Sequence, residues 1–490
     1  MANVTLDSFK HLITDDGPIA LTLVRELEPA EGKHAWIFPP TFAGEDSATD
    51  DEESGSGGYC IDTWEEPAAE EGLPPVRRNV CLINSVGSQA NFIEPIFKKE
   101  KYKDLVPQRE VKFKDGSVVS LLDAGHRAAD ASFRFSKELG KELWSAFNAI
   151  KTKRDYSDLI RLAPTSLIFG AWDSRGTGAK CPRIVRSVIR AYDVIKASRS
   201  AIYNPPIDYV DRDLLAGALD KGKGKENPLS QEGFKHSPAS GSHGGVRVTG
   251  KLQIEAALNL VVLRSLSSDP KHRQYLLGLA LVALTYEDAG AFNLREGCLL
   301  RPLATDCKWT AVHIDKIKDR PLTITHPDAL DYARLCTTGA SGFKVEQPDK
   351  AVEFDTATAE AWVAKPKKER KKLARKGPPS DMIKMASATN PMIELRALVE
   401  SLEPTAKDEF STAKTKPLTK LQAKVGEIGS DPAATEELNI LAATLKPLLI
   451  PDAGAAARKE QMLALFPAGN DTSGSEQPDQ ASGQSPQTKP

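Results

Sequence analysis

Apolar residues within positions 1–345 follow two spacings, and one of them indicates strands. Ile19, Leu21 and Leu23 alternate with polar residues, which is the period-2 pattern of a half-buried strand. The apolar run at 80–83 fits a buried strand, and the Asp-Gly pair at 115–116 between β-prone arms is a hairpin signal. Further strands are expected at 165–172 and around 297–325.

Other stretches carry apolar residues at helical spacing. Phe92, Ile96 and Phe97 mark a helix within GSQANFIEPIFKKE. Longer helical patterns are predicted at 124–150, 182–196, 253–267 and 271–287. Because strands, hairpins and helices alternate, the sequence predicts an α+β domain with an antiparallel sheet over residues 1–345.

Composition marks two insertions in this domain and a different region after it. Residues 41–76 are acidic and contain ESGSGG, and residues 217–245 are rich in Gly, Ser, Lys and Pro, so both are expected to be exposed loops. The remaining chain is predicted to form a basic linker at 346–380, a small helical appendage at 381–466 and a disordered tail at 467–490.

The overall composition excludes several protein classes. The 490 residues include 40% hydrophobic and 27% charged residues, which is typical of a globular protein. The sequence contains no apolar run long enough for a membrane span, and MANVTLDSFKHLITDDG does not resemble a secretory signal. Six scattered cysteines without a CxxC pair favour a reducing compartment over a disulfide framework or zinc site. We therefore expect a cytoplasmic protein.

The formal net charge of −2 hides a strong separation of charge along the chain. Residues 41–76 contain eleven Asp and Glu and no Lys or Arg, whereas residues 124–200 contain fifteen Lys and Arg and seven acids. The run KPKKERKKLARK at 365–376 adds eight basic residues and one acid. The local charge of a surface, and not the net charge of the chain, decides what binds there. The net charge of −2 therefore does not exclude a polyanionic partner.

The segment LIFGAWDSRGTGAKCPRIVRSVIRAYDVI at 167–195 holds the clearest candidate chemistry. Gly176 and Gly178 allow a tight turn whose N–H groups could form an anion-binding nest. If 182–196 is a helix, its apolar residues share one face and its arginines the other. The cations expected to converge at this helix start are Arg175, Lys180, Arg183, Arg186 and Arg190. Such an arrangement predicts a phosphate site.

This segment does not match a nucleotide-binding loop of the form GxxxxGK[ST]. Ser174 stands at the first glycine position, Ala179 precedes Lys180, and Cys181 replaces the hydroxyl that would hold magnesium. A row of arginines suits a chain of phosphates better than one nucleotide. The alternative is a solvated face whose arginines pair with nearby acids such as Asp193.

Two further segments carry polar groups that could bind a nucleic acid. LLDAGHRAADASFRF places His126, Arg127 and Asp130 at a turn and helix start, with Arg134 following; this group could cap a helix, bind phosphate or serve acid–base chemistry. NSVGSQAN at 84–91 offers small polar side chains that could bond ribose or phosphate, or simply cap a helix.

The region 243–259 repeats the combination of glycines and cations. HGGVRVTGKLQIEAALN is expected to place Arg247 on a short strand and Lys251 at a helix entrance. Aromatic residues make up only 6% of the chain, and no RRM-type aromatic motif is present. Any RNA contact should therefore depend on phosphates and shape more than on base stacking.

Three segments in order, CLINSVGSQANFIEPIF, LDAGHRAADA and LIFGAWDSRGTGAKCPRIVRSVIRAYDV, resemble the type I-G (formerly I-U) CRISPR-associated backbone subunit, a RAMP-superfamily protein of the seventh Cas family. GGVRVTGKLQIEAALNLVVLRSL and the segment around LREGCLL are also similar to that family. The resemblance covers about residues 15–340 and leaves out the acidic stretch at 41–76 and everything after 345.

The resemblance implies an RRM-like ferredoxin core with thumb-like and finger-like insertions. It implies that several copies stack along one crRNA in a Cascade complex, with the other Cascade subunits and the target DNA strand paired to the guide as further partners. It implies no cofactor, no metal and no catalysis. The residues expected to bind RNA are Ser88, Gln89, Asn91, His126, Arg127, Arg134, Arg175, Lys180, Arg183, Arg186, Arg190, Arg247 and Lys251. The alternative is a RAMP-type endoribonuclease that acts through a loop aspartate, Asp130 or Asp173.

Overall fold

The computed structural model describes residues 4–42, 58–68, 73–199, 201–212, 214–216, 220–222, 227–239, 243–286, 292–303, 308–338, 342–387, 391–400, 402, 416–430, 436–449 and 455–465. The chain forms two compact units, Met1–Met382 and Ile383–Pro490. The predicted tail at 467–490 and parts of both predicted insertions, 41–76 and 217–245, lie outside the described residues.

The strands of the described part are, in chain order, β1 (Ala20–Pro29), β2 (Trp36–Ile37), β3 (Thr41–Phe42), β4 (Gly58–Tyr59), β5 (Ile61–Glu66), β6 (Val76–Asn84), β7 (Glu110–Lys112), β8 (Val118–Ser120), β9 (Ala171–Trp172), β10 (Lys180–Cys181), β11 (Val185–Tyr192), β12 (Val194–Ser198), β13 (Ala201–Tyr203), β14 (Ser237–Ala239), β15 (His243–Val248), β16 (Leu252–Asn259), β17 (Phe292–Arg295), β18 (Cys298–Pro302), β19 (Lys308–Val312), β20 (Arg320–Leu322) and β21 (Val352–Glu353).

The α-helices of the described part are α1 (Val86–Ile93), α2 (Ala131–Arg134), α3 (Lys137–Lys153), α4 (Ser157–Leu162), α5 (Thr165–Ile168), α6 (Pro228–Gln231), α7 (Leu260–Ser265), α8 (Pro270–Thr285), α9 (His326–Thr337), α10 (Thr356–Val363), α11 (Lys367–Leu373), α12 (Pro379–Ser387), α13 (Pro391–Glu400), α14 (Lys416–Ser430), α15 (Glu436–Leu448) and α16 (Ala455–Ala464). Within the described residues, each of these helices is too short or too polar to span a membrane.

An antiparallel sheet organises the first unit. Its strands follow the order β17-β18-β1-β16-β11-β6-β5, and β19 pairs with β1 on the same side as β18 and is followed by β20. The four strands β19, β1, β16 and β11 therefore lie side by side, with every neighbouring pair antiparallel. The chain between β1 and β11 includes α1 to α5, and the chain between β16 and β19 includes α7 and α8. Helices combined with an antiparallel sheet make the fold α+β, which confirms the predicted class.

The sheet has one helix-covered face and one open face. On β1, Leu21, Leu23 and Leu27 are at most 3% exposed, while Thr22 and Val24 on the opposite face are partly exposed. Helices α1 and α8 pack against the covered side through β11. Residues 275–285 of α8 are all buried, because a helix that is apolar on every side must lie inside a core.

Several predicted elements are confirmed by the structure. The alternating pattern near Leu21 is β1, the apolar run at 80–83 lies in β6, and the Asp-Gly pair at 115–116 turns between β7 and β8. Gly116 has φ +87°, a conformation that glycine adopts at little cost. Helices α1, α3 and α8 and strands β17 to β20 also lie where the sequence predicts helix or strand.

Two predicted helices are wrong. The region 182–196 forms β11 and β12, and the region 253–267 begins as β16 before it continues as α7. β-branched residues such as Ile184 and Val185 favour a pleated, half-buried surface, and pairing with two neighbouring strands decides in favour of the strand. The predicted strand at 165–172 is also wrong in its first half, since Thr165–Ile168 is α5 and only β9 is extended.

The structure differs from the linker predicted at 346–380. This stretch contains β21, α10 and α11, and it lies in the first compact unit. β21 pairs with β7, and Trp362 of α10 is 3% exposed against Phe135, with ring centroids 6.3 Å apart. Apolar anchors among the cations explain why the stretch is folded.

The second unit has a core of its own. Helices α13 to α16 occupy the region where a helical appendage is expected, and they bury apolar side chains that include Leu395, Val399, Leu421, Leu445 and Met462. In the described part of the chain the five cysteines Cys60, Cys81, Cys181, Cys298 and Cys336 are free thiols.

The close approach of α8 and α9 yields a stability prediction. A Cβ atom added to Gly278 would lie 2.9 Å from the Ala333 Cα atom, so the two helix backbones would have to separate. We expect Gly278→Ala to lower the free energy of unfolding by about 1–3 kcal/mol, as overpacked core substitutions do. This would reverse the gain of up to about 1 kcal/mol that Ala normally has over Gly in a helix.

The matched control is Gly87→Ala in α1, where an added Cβ meets no atom within 4 Å. Urea unfolding of both variants measures the effect. A Gly278→Ala protein as stable as the Gly87→Ala protein would contradict the packing argument.

Candidate nucleic-acid interface

The glycine motif forms a rigid hairpin loop between β9 and β10. Trp172 pairs with Lys180 and Ala171 with Cys181. The Asp173 carboxylate Oδ2 accepts hydrogen bonds from the Thr177 N–H at 2.7 Å and from the Thr177 hydroxyl at 2.9 Å. Because Asp173 is only 4% exposed, its carboxylate acts as the internal anchor of the loop.

Gly176 and Gly178 allow the loop to close in this way. A Cβ atom at Gly176 would lie 2.3 Å from Asp173 Oδ2, and Gly178 has φ +82°. The N–H groups of both glycines donate to the Asp173 carbonyl, at 3.3 Å and 2.8 Å. The prediction that these N–H groups face an anion is therefore wrong, because they are used within the loop. The loop instead presents side chains.

Three exposed side chains project from this hairpin. Trp172 is 58% exposed, and Arg175 and Lys180 are also exposed. The Lys180 Nζ atom lies 4.8 Å from the centroid of the Trp172 ring, a cation–π arrangement. Trp172 was missed by sequence reasoning, which assigned it to a strand at 165–172 without a role; its position directly before the glycine turn was the available signal.

Arg134 lies near Arg175 of the hairpin and near a further cation, Arg370. Burial lowers the pKa of Arg134, Asp173 opposes this shift, and the positive charges of Arg175 and Arg370 lower the pKa further. The Arg134 Nε atom is buried and has no hydrogen-bond partner among the described residues. The cations Arg175 and Arg370 are thus gathered around this guanidinium, and the carboxylates of Asp173 and Asp130 partly balance them.

Arg127, a predicted RNA ligand, is instead an internal brace. Its side chain is 6% exposed and its Nε lies 2.6 Å from Oε2 of the buried Glu94. Its Nη1 donates to the Gly170 carbonyl at 3.2 Å, and its Nη2 to Asn91 Oδ1 at 3.1 Å. Arg127 has φ +52°, an uncommon conformation for a side chain of this size. With its donors used in the interior, Arg127 is not placed to contact RNA, and the expectation that it does so is corrected.

The three arginines predicted on a helix face lie on and beside β11, and they differ in environment. Arg186 is exposed on the open face of the sheet. Arg183 precedes the strand, and its Nε donates to the Phe169 carbonyl at 2.7 Å; burial lowers its pKa, and Arg127 and Arg186 act in the same direction. The helix-dipole argument is therefore wrong, while the gathering of cations remains.

Arg190 is held within the sheet. It forms an ion pair with Glu255 of β16, which also accepts hydrogen bonds from the Tyr192 hydroxyl and from Gln253 Nε2 at 3.0 Å. Its charge is balanced locally, as the alternative of a paired face anticipated, although the partner is Glu255 rather than Asp193.

The segment NSVGSQAN at 84–91 forms the N-terminal cap and the first turns of α1. Ser85 Oγ accepts from the Ser88 N–H at 3.2 Å, and the buried Gln89 accepts from Asn84 Nδ2 at 2.6 Å. The Ser88 and Asn91 side chains are exposed, although Asn91 Oδ1 is bonded to Arg127. The capping interpretation therefore describes this segment.

The remaining candidates mostly form contacts of their own. Arg247 lies in the separate sheet β12-β15-β2, with Nη2 3.2 Å from His34 Nδ1. Lys251 directly precedes the strand β16 and not a helix, and its Nζ is 3.6 Å from Glu26 Oε1. His126 is exposed beside Arg127, and Asp130 caps α2 by accepting from the Ser132 N–H at 3.0 Å.

The name hairpin surface is used below for Arg134 of α2, for three exposed residues of the hairpin, and for two arginines before and on β11. These residues are Arg134, Trp172, Arg175, Lys180, Arg183 and Arg186. Among the described residues, no three His, Cys, Asp or Glu side chains are grouped closely enough to hold a metal ion. The surface thus combines cations with one exposed aromatic ring, which is the chemistry of single-strand nucleic-acid binding.

A comparison with known families gives this surface a context. The model of the family described as CRISPR-associated protein GSU0053 matches residues 21–196. The match supports the interpretation of the chain as a CRISPR-associated protein. It also supports a role in CRISPR-Cas defence. The matched segment contains β1 from Leu21 onward, the brace of Glu94 and Arg127, and the whole hairpin surface. No curated protein matches the chain.

The buried brace predicts a specific pH dependence of stability. Burial raises the pKa of Glu94 to about 7, against the lowering effects of the Arg127 charge and of the hydrogen bonds from Thr165 and Arg127. Between about pH 4.5 and 7 the folded state therefore binds a proton that the unfolded state has lost, so the free energy of unfolding falls as pH rises.

We expect Glu94→Gln to remove this component. Relative to the wild type, the variant should gain stability as pH rises from about 5 to about 8 and then change no further. Urea unfolding across this range measures the difference between the two proteins, which cancels the contributions of other groups. A difference that stays constant with pH would show that Glu94 does not titrate in this way.

Proposed function

We propose that the chain is a non-catalytic, crRNA-binding backbone subunit that assembles in several copies along the guide of a type I-G Cascade complex. The observation that carries this proposal is the hairpin surface, where cations and Trp172 stand on a loop closed by Asp173 and Arg186 is exposed on the antiparallel sheet. The family match to a CRISPR-associated protein supports it from an independent direction.

The strand order supports an RRM-like core. In a βαββαβ unit, the fourth strand lies beside the first, the first beside the third and the third beside the second. Taking β1, β11, β16 and β19 as these four strands reproduces that order, with helices in both intervening segments. β5 and β6 then extend the sheet beyond β11, and the region between β12 and β15 is the insertion available for a thumb.

In this proposal the hairpin surface holds the sugar–phosphate backbone of the guide. Arg175, Lys180 and Arg186 are exposed and supply charge, while Arg183 and Arg127 hold the turn in place. The guide would pair with the target DNA strand, and further copies and other Cascade subunits would complete the assembly in the cytoplasm.

The endoribonuclease alternative lacks support in the geometry of its two candidate residues. The Asp173 carboxylate accepts two hydrogen bonds from Thr177 inside the loop, and Asp130 caps α2. A general base or metal ligand needs a carboxylate that can reach the substrate. We propose structural roles for both aspartates.

The main test removes the exposed charge and spares the braces. We expect the triple variant Arg175→Glu, Lys180→Glu, Arg186→Glu to lose co-purifying RNA, because three phosphate contacts become repulsive. With wild-type protein, affinity for a guide transcript should fall with salt at a slope of about 0.7 per phosphate contacted, and sedimentation should show several copies per transcript.

The control for this test carries the same change in charge elsewhere, at Lys114, Lys316 and Arg334, which are exposed. It should retain RNA like the wild type. RNA retention by the hairpin triple variant at the wild-type level would refute the proposed function.

Trp172 predicts a base-stacking contact in addition to the phosphate contacts. Stacking on an aromatic side chain is worth about 1–3 kcal/mol per base, so Trp172→Leu should weaken binding of a single-stranded RNA by about tenfold. Trp172→Phe should retain most of the affinity. An oligonucleotide without bases should bind wild type and Trp172→Leu equally.

The matched control is Trp64→Leu, since Trp64 is also partly exposed, at 38%, but lies on β5. Fluorescence anisotropy with labelled oligonucleotides measures each affinity. Equal loss on the base-containing and the abasic strand would mean that Trp172 supports the fold of the hairpin and not a base.

A further inference from the structure

The basic helix α11 is held firmly in the first unit, next to α3. Trp144 Nε1 of α3 donates to the Ala374 carbonyl at 2.9 Å, and Ala374 is 3% exposed. On one side of this contact, Trp362 is buried, and on the other, Lys141 Nζ lies 2.6 Å from Asp381 Oδ1. The cations of 365–376 therefore have a defined position, unlike those of a flexible linker.

Most of these cations are exposed and uncompensated. Lys365 pairs with Glu369 across one helical turn at 2.9 Å. The cations that are exposed and form no ion pair with a described residue are Lys367, Lys368, Lys371, Lys372, Arg375 and Lys376. Six like charges within ten residues repel one another, so a polyanion bound there would relieve a cost already present in the folded protein.

The helix is also electrostatically continuous with the hairpin surface. Arg370 of α11 and Arg175 of the hairpin both lower the pKa of the same guanidinium, that of Arg134. Arg134 ends α2, directly before α3, whose residue Lys151 donates from Nζ to the Thr177 carbonyl of the hairpin. Helices α2 and α3 thus connect both sets of cations through packed structure.

We propose that the basic helix, residues 365–376, is a second phosphate-binding contact for the same single-stranded nucleic acid that crosses the hairpin surface. This inference rests on the proposed function, but it lies outside the region 21–196 that matches the family. Residues 365–376 contain no aromatic side chain, so the contact is with phosphates and is independent of base sequence. Lysines on a flexible stem suit this role, because they act as point charges without fixed geometry.

A neutral variant tests the proposal without adding repulsion. Lys367, Lys368, Lys371 and Lys372 are changed together to Gln, which has a helix propensity similar to that of Lys. The probes are single-stranded oligouridylates of about 4 and about 16 nucleotides, the span of reported site sizes for one binding fold. Each affinity is measured over a series of salt concentrations.

We expect the quadruple Gln variant to bind the short oligonucleotide like the wild type and the long one at least about tenfold more weakly. Its salt slope on the long strand should fall by about 0.7 for each phosphate contact removed. A control with the same charge change at Lys33, Lys114, Lys316 and Lys318 should match the wild type on both strands. Equal melting temperatures of all three proteins would establish that the fold is retained.

Two results would overturn the inference. One is wild-type affinity and salt slope of the Gln variant on the long strand. The other is salt-sensitive self-association of the RNA-free wild type that the Gln variant lacks, with long-strand affinity unchanged; the helix would then receive an acidic segment of a second copy, such as 41–76. Failure of the proposed function is distinguishable, because Arg175→Glu with Lys180→Glu would then leave even short-strand binding unchanged.

Discussion

The arrangement of the candidate interface depends on the buried ion pair between Glu94 and Arg127. The Arg127 guanidinium contacts Glu94, Asn91 of α1 and the carbonyl of Gly170. It therefore joins three segments that are distant in sequence: 91–94, its own segment at 127, and 170. Without Arg127, the Glu94 carboxyl group, the Asn91 side-chain oxygen and the Gly170 carbonyl would lose their shared donor. The left-handed backbone of Arg127 and the turn at Gly170, with φ +80°, are both held by these contacts. The hairpin that follows Gly170 therefore starts from a fixed position.

Cations near this anchor divide into those that hold the fold and those that face outward. Arg127 and Arg183 spend donors on backbone carbonyls, and Arg190 is neutralised by Glu255. Arg175 and Arg186 are exposed and form no ion pair with a described residue. Buried guanidinium groups fix the positions of the segments they bond, because their hydrogen bonds are directional. Exposed guanidinium groups instead contribute to the positive electrostatic potential at the surface. A basic sequence segment can therefore serve two purposes at once, and only the contacts separate them.

Sequence reasoning identified the region of the interface but not its architecture. The glycine motif, the cations around it and the turn at His126 were found from residue type and spacing, because tight turns demand glycine and charge is visible in a sequence. The helix predicted at 182–196 failed because Ile184, Val185 and Val188 fit either period, and pairing with β6 and β16 decided between them. Partners such as Glu94 for Arg127 are 33 positions apart in the chain, so no local pattern could reveal them. Exposure of Trp172 is likewise a property of the folded surface.

The separation of charge in the fold is what would allow a chain with net charge −2 to bind a polyanion as proposed. A uniformly basic protein attracts any nucleic acid at long range, and that attraction carries no register. Here acids such as Glu255 and Glu94 are placed inside or across the sheet, where they balance the arginines that brace the structure. Exposed cations are left on the hairpin surface and on the basic helix. In the proposed function, binding would depend on a strand reaching both places together, which would favour a continuous single strand over scattered contacts with other polyanions.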